Sequence, residues 1–264
     1  MTDFLFDLPL VVSGLLIVGS LGLFAVTGMA LVRSHALPRL RIQAADAGFT
    51  GTMVQAVMVF YGLAVALIAV NVFETHSDVS KTVSQEAAAL AALYRDVSSY
   101  PEPVRPLLQD ELRDYAQYVI HEAWPAHQRG QVVRGGVEML NRFQETLIGF
   151  EPITEGQILL HAEALQAYNR LVEVRSLRLD AVHTGLPGMM WVVIVAGALI
   201  GLVSSFFFHV EDGRLHGILV KLLAVFMGLI IFMIFALDHP FRGELGVTAE
   251  SYELVYDQVM KPAP

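Results

Sequence analysis

GTMVQAVMVFYGLAVALIAVNVFETHSD, residues 51–78, decides the fold. From Gly51 to Phe73 it carries no charge, and it is long enough to cross the ~30 Å hydrocarbon core of a bilayer as a helix. It leaves that run through Asn71-Val72-Phe73-Glu74-Thr75-His76-Ser77-Asp78, with neither Pro nor Gly to stop a helix. Beyond it, Val83, Ala87, Leu90, Tyr94 and Val97 fall four and three residues apart, an apolar stripe on a helix. The helix is therefore expected to run on, one rod joining a membrane part to a water-soluble part. The same exit carries the polar residues nearest to any ion path along this helix.

Three further runs match it. Leu8–Val32 is uncharged and followed by Arg33, Arg39 and Arg41. A cleaved signal would place its positive charge before a shorter core, whereas here Asp3 and Asp7 precede a full-length one, so it reads as a retained span. Gly14, Gly19, Gly22 and Gly28 within it allow close helix approach and predict a packed face. The link Arg33–Thr50, with Pro38 and Gly48, is short. Gly185-Leu186-Pro187-Gly188 leads into a third span, about 187–208, with Trp191 placed where an indole can face headgroups. The turn His209–Arg214 connects to a fourth span, about 215–237, in which Lys221 sits about one and a half turns inside and can snorkel outward.

Composition agrees. The 264 residues are 55% hydrophobic and 16% charged, with mean hydropathy +0.54, too apolar for an ordinary soluble domain. The absence of Cys excludes disulfides, thiolate nucleophiles, Cys-ligated zinc and iron–sulfur clusters. A net charge of −9 argues against nucleic acid, whose phosphates demand Lys and Arg.

Residues 74–184 form a charged, mixed segment between the second and third spans. The stripe to Val97 is broken by Ser98-Ser99-Tyr100-Pro101. Leu108, Leu112, Tyr115 and Val119 make a second stripe, expected to end near Trp124-Pro125. Gly130, Gly135 and Gly136 mark a loop, a weaker helix covers roughly 137–148, and Gly149 suits its end. Thr154 with Gln157 reads as a capping box opening a long helix striped by Leu160, Ala164, Ala167, Leu171 and Val174. No strand alternation and no internal repeat is visible. The expected fold is an all-α membrane protein of four transmembrane helices, with a helical extramembrane module inserted between helices 2 and 3. Its parts are 1–73, 74–184, 185–237 and a tail, 238–264, packing on the module through Ala249–Met260 and the segment Asp238-His239-Pro240-Phe241-Arg242-Gly243.

No enzyme signature is present: no phosphate-cradling Gly loop after a strand, no supported Ser-His-Asp order, no haem or flavin motif. No cofactor and no metal is expected. His121, Glu122 and His127 miss the i, i+4 spacing of a metalloprotease helix. His209, Glu211, Asp212 and His216 read as a polar turn before they read as ligands of a divalent ion. Tyr94, Tyr115 and Trp124 read as module core. Asp238 is expected to cap a helix or to pair with an Arg such as Arg178, while Pro240 and Phe241 dock the tail.

Gln85-Glu86-Ala87-Ala88-Ala89-Leu90, Glu122-Ala123-Trp124-Pro125, Arg178-Leu179, Leu186-Pro187 with Trp191, and the six residues from Asp238 to Gly243 occur in this order across nearly the whole chain. Together they resemble the bacterial bestrophin-like membrane family, itself distantly similar to bestrophins. Bestrophins are homopentameric ion channels with four spans, cytoplasmic termini and a largely helical cytoplasmic body, their pore lined by the second span. Asp78 matches the Asp of the bestrophin Asn/Tyr-Asp-Arg segment, with Ser77 and Val79 on its two sides. The resemblance carries the pore neck onto Leu63, Leu67 and Asn71, with Glu74 at the exit. It further implies a bacterial inner-membrane location with a cytoplasmic module. Charge alone does not orient the chain: Arg33, Arg39, Arg41 and Arg214 nearly balance Lys81, Arg170, Arg175, Arg178 and Arg242.

Two functions follow. In the first, a homo-oligomer (a pentamer, by the resemblance) passes small monovalent inorganic ions along an axis lined by the second span. In that case Asp238, Pro240, Phe241 and Gly243 form a structural tail motif. The alternative is a non-conducting, membrane-anchored helical sensor or scaffold. The expected partners of the protein are membrane lipid, further copies of itself and small inorganic ions, with no nucleic acid.

Overall fold

The computed structural model describes residues 6, 8–36, 47–208 and 212–261. Among these residues every regular element is helical. In chain order they are α1 (Leu10–Leu31), extended by a wide π turn (Val32–Ala36); α2 (Ala47–Val97); α3 (Val104–Tyr118); a second π turn (Val119–Ala123); α4 (Trp124–Gln128); α5 (Gly135–Ile148); α6 (Glu155–Ala181); α7 (Gly188–Phe206); α8 (Gly213–Asp238); and α9 (Glu250–Val255), closed by a third π turn (Tyr256–Met260). Four of the helices are long and apolar enough to span a membrane: Leu10–His35, Gly51–Val97, Gly188–Phe206 and Gly213–Asp238. The protein is a membrane protein. Asp3, Asp7, Pro38, Arg39, Arg41, His209 and Glu211 lie outside the described residues.

The chain divides into two compact units, one drawn from Met1–Glu74 and Gly185–Asp238, the other from Thr75–Thr184 and His239–Pro264. Helix α2 contributes to both without a break. Its 51 residues extend roughly 75 Å at 1.5 Å each, more than twice the hydrocarbon thickness.

In the first unit, lipid-like side chains supply no hydrophobic drive between spans, so close packing has to hold them. The packing runs over small residues. A Cβ on Gly228 of α8 would come within 2.9 Å of the Val18 Cα on α1, so the two helices touch at backbone distance. The Tyr61 ring of α2 packs against Gly197 of α7, and its hydroxyl donates to the Ile194 carbonyl at 2.9 Å. Of the four glycines expected to pack, Gly14 meets Phe232 and Gly28 meets Phe206, while Gly19 and Gly22 face open space. The reason is angular: at about 100° per residue, 14 and 28 share a face that 19 and 22 do not.

In the second unit, Leu90, Leu93, Leu108, Leu112, Phe143, Leu147 and Leu171 are buried together. Helix α2 stops after Val97, where Ser98, Ser99 and Tyr100 turn back on the carbonyls of Arg95, Asp96 and Val97. The capping box at α6 is formed: Gln157 N donates to Thr154 Oγ1 at 3.2 Å, and Gln157 Oε1 accepts from Thr154 N. The helix expected to end near Trp124-Pro125 instead runs to Gln128. The π turn Val119–Ala123 resets the hydrogen-bond ladder so that Pro125 falls in the first turn of α4, where its missing N–H leaves no gap.

Candidate functional site

The membrane half of α2 has two unlike faces. Met58, Tyr61, Val65, Ile68 and Val72 pack into the apolar core of the first unit, Val65 and Val72 both 4% exposed. Leu63 and Leu67 are 59% and 64% exposed, and Asn71 and Glu74 are exposed as well. At about 100° per residue, Leu63, Leu67, Asn71 and Glu74 cluster within roughly 80° of one another, and their mean direction points roughly 140° away from the packed face. The other three spans thus leave a broad arc of α2 uncovered, one that holds this stripe and also Val59, Phe60, Val70 and Phe73. Beyond it, Asp78 accepts from Lys81 Nζ at 2.9 Å, with both side chains about two-thirds or more exposed, so the pair adds little stability.

Where α2 continues into the second unit, its buried side carries a charge. Glu86 is fully buried and holds the Arg178 guanidinium of α6 in a fork: Arg178 Nε donates to Oε2 at 2.5 Å and Nη2 to Oε1 at 3.1 Å. Tyr115 of α3 donates its hydroxyl to Glu86 Oε1 at 3.2 Å. Arg178 Nη1 lies 3.0 Å from Nδ1 of the buried His127. Burial, then the guanidiniums of Arg178 and Arg175, lower the His127 pKa to about 3, so the ring is neutral and can accept from Arg178. Burial opposes the Arg178 charge, but the Glu86 carboxylate outweighs it and holds the guanidinium protonated. The guanidinium also stands 5.7 Å from the Trp124 ring and 6.0 Å from the Tyr252 ring, within cation–π range.

The tail closes on this cluster. Phe241 packs edge-on to Trp124 at 5.6 Å, and Trp124 Nε1 donates to the Val247 carbonyl at 3.2 Å. Val247 N donates to the Pro240 carbonyl at 2.7 Å, tying off a turn in which Gly243 adopts φ +75°, a region favouring glycine. The end of the tail is held by Arg113, whose Nε donates to the Met260 carbonyl at 2.8 Å and whose Nη2 donates to the Tyr94 hydroxyl at 2.7 Å.

In the first unit, Asp238 ends α8 and is buried. Its Oδ1 accepts from Leu186 N at 2.5 Å and its Oδ2 from Trp191 Nε1 at 3.2 Å. The carboxylate therefore pins the last turn of α8 to the loop that opens α7. The Trp191 indole, expected to face headgroups, is turned to this partner. The carboxylate partner of Arg178 is Glu86, the buried acid that α2 supplies, rather than the suggested Asp238.

Of the residues weighed as metal ligands, the described ones do not converge. His121 and Glu122 are exposed while His127 faces Arg178. His216 is buried with Nε2 3.0 Å from the Ser205 carbonyl, and Asp212 Oδ1 accepts from Arg214 N at the start of α8. Among the described residues no group of three or more His, Asp or Glu could hold a metal ion. Glu86, Arg178 and Trp124 were visible in sequence only as parts of separate motifs. Their meeting, and that of Leu186, Trp191 and Asp238, is a tertiary fact.

Comparison with known proteins bears on the fold and the family. A bacterial bestrophin homologue from Klebsiella pneumoniae, solved as a point mutant, shares this fold with TM-score 0.64. The match covers 94% of this chain and 97% of that one at 10% identity. No curated protein sequence matches the chain. The Bestrophin-like domain model matches residues 21–252, and the chain belongs to the bestrophin-like family.

Proposed function

We propose that the protein is the subunit of an oligomeric ion channel whose axis is lined by α2. The observation that carries this reading is the uncovered arc of α2 that includes Leu63, Leu67, Asn71 and Glu74, set opposite the face that packs on the other spans. A pore requires that face from several copies, and a pentamer is what the bestrophin fold suggests. Leu63 and Leu67 then form an apolar ring one turn deep, narrow enough to gate by dewetting. Asn71, the next turn along, offers amide dipoles to ions that have shed part of their water. Glu74 at the mouth sets a ring of negative charge that raises the local cation concentration.

The chemistry is passive: these residues present dipoles and charge and transfer no group, so the protein acts as a channel rather than as an enzyme. The reading places it in the bacterial inner membrane, with the second unit in the cytoplasm. Buried in that unit, the Glu86–Arg178 fork anchors the rod that carries the pore stripe.

Ion flux from liposomes under K⁺ and Cl⁻ gradients tests this. Wild type and Leu67→Ala are compared with Asn71→Ala, and flux should rise when Leu67 is truncated, with the gradient that drives it giving the sign of the ion. No flux from any variant of a folded, oligomeric protein would overturn the channel and leave the anchored scaffold.

A further inference from the structure

We infer that Arg33 and Lys221 form a binding site for the phosphate of an anionic phospholipid, in the leaflet next to the turn between α7 and α8. The two side chains share a cavity of about 300 Å³ between α1 and α8. Among the described residues no acid lines this cationic rim. Arg33 Nη1 donates to the Gly213 carbonyl at 3.3 Å, and Lys221 has no hydrogen bond or ion pair with any described residue. Asp212, the nearest described carboxylate in sequence, is occupied in capping the start of α8 through Arg214 N and Leu215 N.

Lys221 lies further from the start of its helix than its sequence position suggested. Helix α8 begins at Gly213, so eight residues, roughly 12 Å, separate Lys221 from the helix start. An ammonium at that depth is costly in hydrocarbon unless it reaches water or an anion. Below the rim the cavity is apolar, lined by Ala25, Val26, Met29 and Val220. It runs from Arg33 to Ala25 along α1, again roughly 12 Å. A cationic rim above an apolar slot matches a phosphate, which a guanidinium and an ammonium bind by charge-assisted hydrogen bonds, with an acyl chain beneath it. A free phosphate would use the rim and leave the slot empty, so the lipid is the better fit.

The test is native mass spectrometry of the full-length protein in detergent. It would be offered phosphatidylglycerol, phosphatidylcholine of the same acyl chains, or glycerol phosphate as the headgroup alone. Phosphatidylglycerol should be retained in preference to phosphatidylcholine, and excess glycerol phosphate should not displace it. Retention should fall by roughly tenfold or more when both cations are removed in the Arg33→Gln, Lys221→Gln double variant. Val26→Trp, which keeps both charges and fills the slot, should also lose the lipid, so the result does not depend on one variant folding. Equal retention of the two lipids, or undiminished phosphatidylglycerol on either variant, overturns the site. Displacement by glycerol phosphate would reassign it to a free phosphate ester and overturn the lipid.

Discussion

Replacing Glu86 with Gln tests the anchor of α2 most directly. The fork holds Arg178 through two acceptor oxygens, one of which also takes the Tyr115 hydroxyl. A Gln amide keeps one oxygen and turns the other into a donor, which then faces an Arg178 N–H at 2.5 Å. Flipping the amide only moves the clash to the oxygen shared by Arg178 and Tyr115. Because both side chains are buried, Arg178 is left with an uncompensated charge, and breaking such a pair costs about 3–5 kcal/mol. For a chain of this size that corresponds to a melting temperature lowered by roughly 8–16 °C. The assay is the melting of detergent-purified protein followed by size-exclusion fluorescence. Adding Arg178→Met should recover part of the loss, because it removes the stranded charge along with its partner. A Glu86→Gln melting temperature within about 2 °C of wild type would refute the account of the fork as a buried, mutually dependent pair.

Other expectations follow from the same packing. Asp238→Asn leaves one of the Leu186 N–H and Trp191 Nε1–H donors facing an amide N–H, and should lower stability by about 1–3 kcal/mol, read by the same melting assay. Gly228→Ala drives a methyl against the Val18 backbone and should destabilise by about 1–3 kcal/mol, whereas Gly19→Ala, in open space, should leave the melting temperature unchanged. His127 gives a pH dependence with a definite sign. The unfolded chain binds its proton below about 6.5 and the folded chain only near 3, so stability falls as pH drops through that window, by up to about 1.4 kcal/mol per pH unit. His127→Gln should flatten this slope between pH 4 and 6 in melting scans, and an unchanged slope would remove His127 as its source.

The long helix was legible from the stretch 51–78 and the stripe after it, because length without charge and a 3.6-residue period are properties of the chain itself. The capping box was legible for the same reason: its two partners lie three residues apart. The continuation through Pro125 was not, since the π turn that accommodates it is decided by how α3 and α4 meet the core. The four exposed residues of α2 were placed by resemblance. Their exposure became visible only when Tyr61, Val65 and Val72 were seen to claim the opposite face. Sequence alone determined that this is a helical membrane protein with four candidate spans, because hydropathy and periodicity are local and additive. Tertiary structure decided which charges meet: Glu86 with Arg178, 92 residues apart, Asp238 with Trp191, and Arg33 beside Lys221. Such pairings depend on helix rotation and depth, which no local pattern encodes.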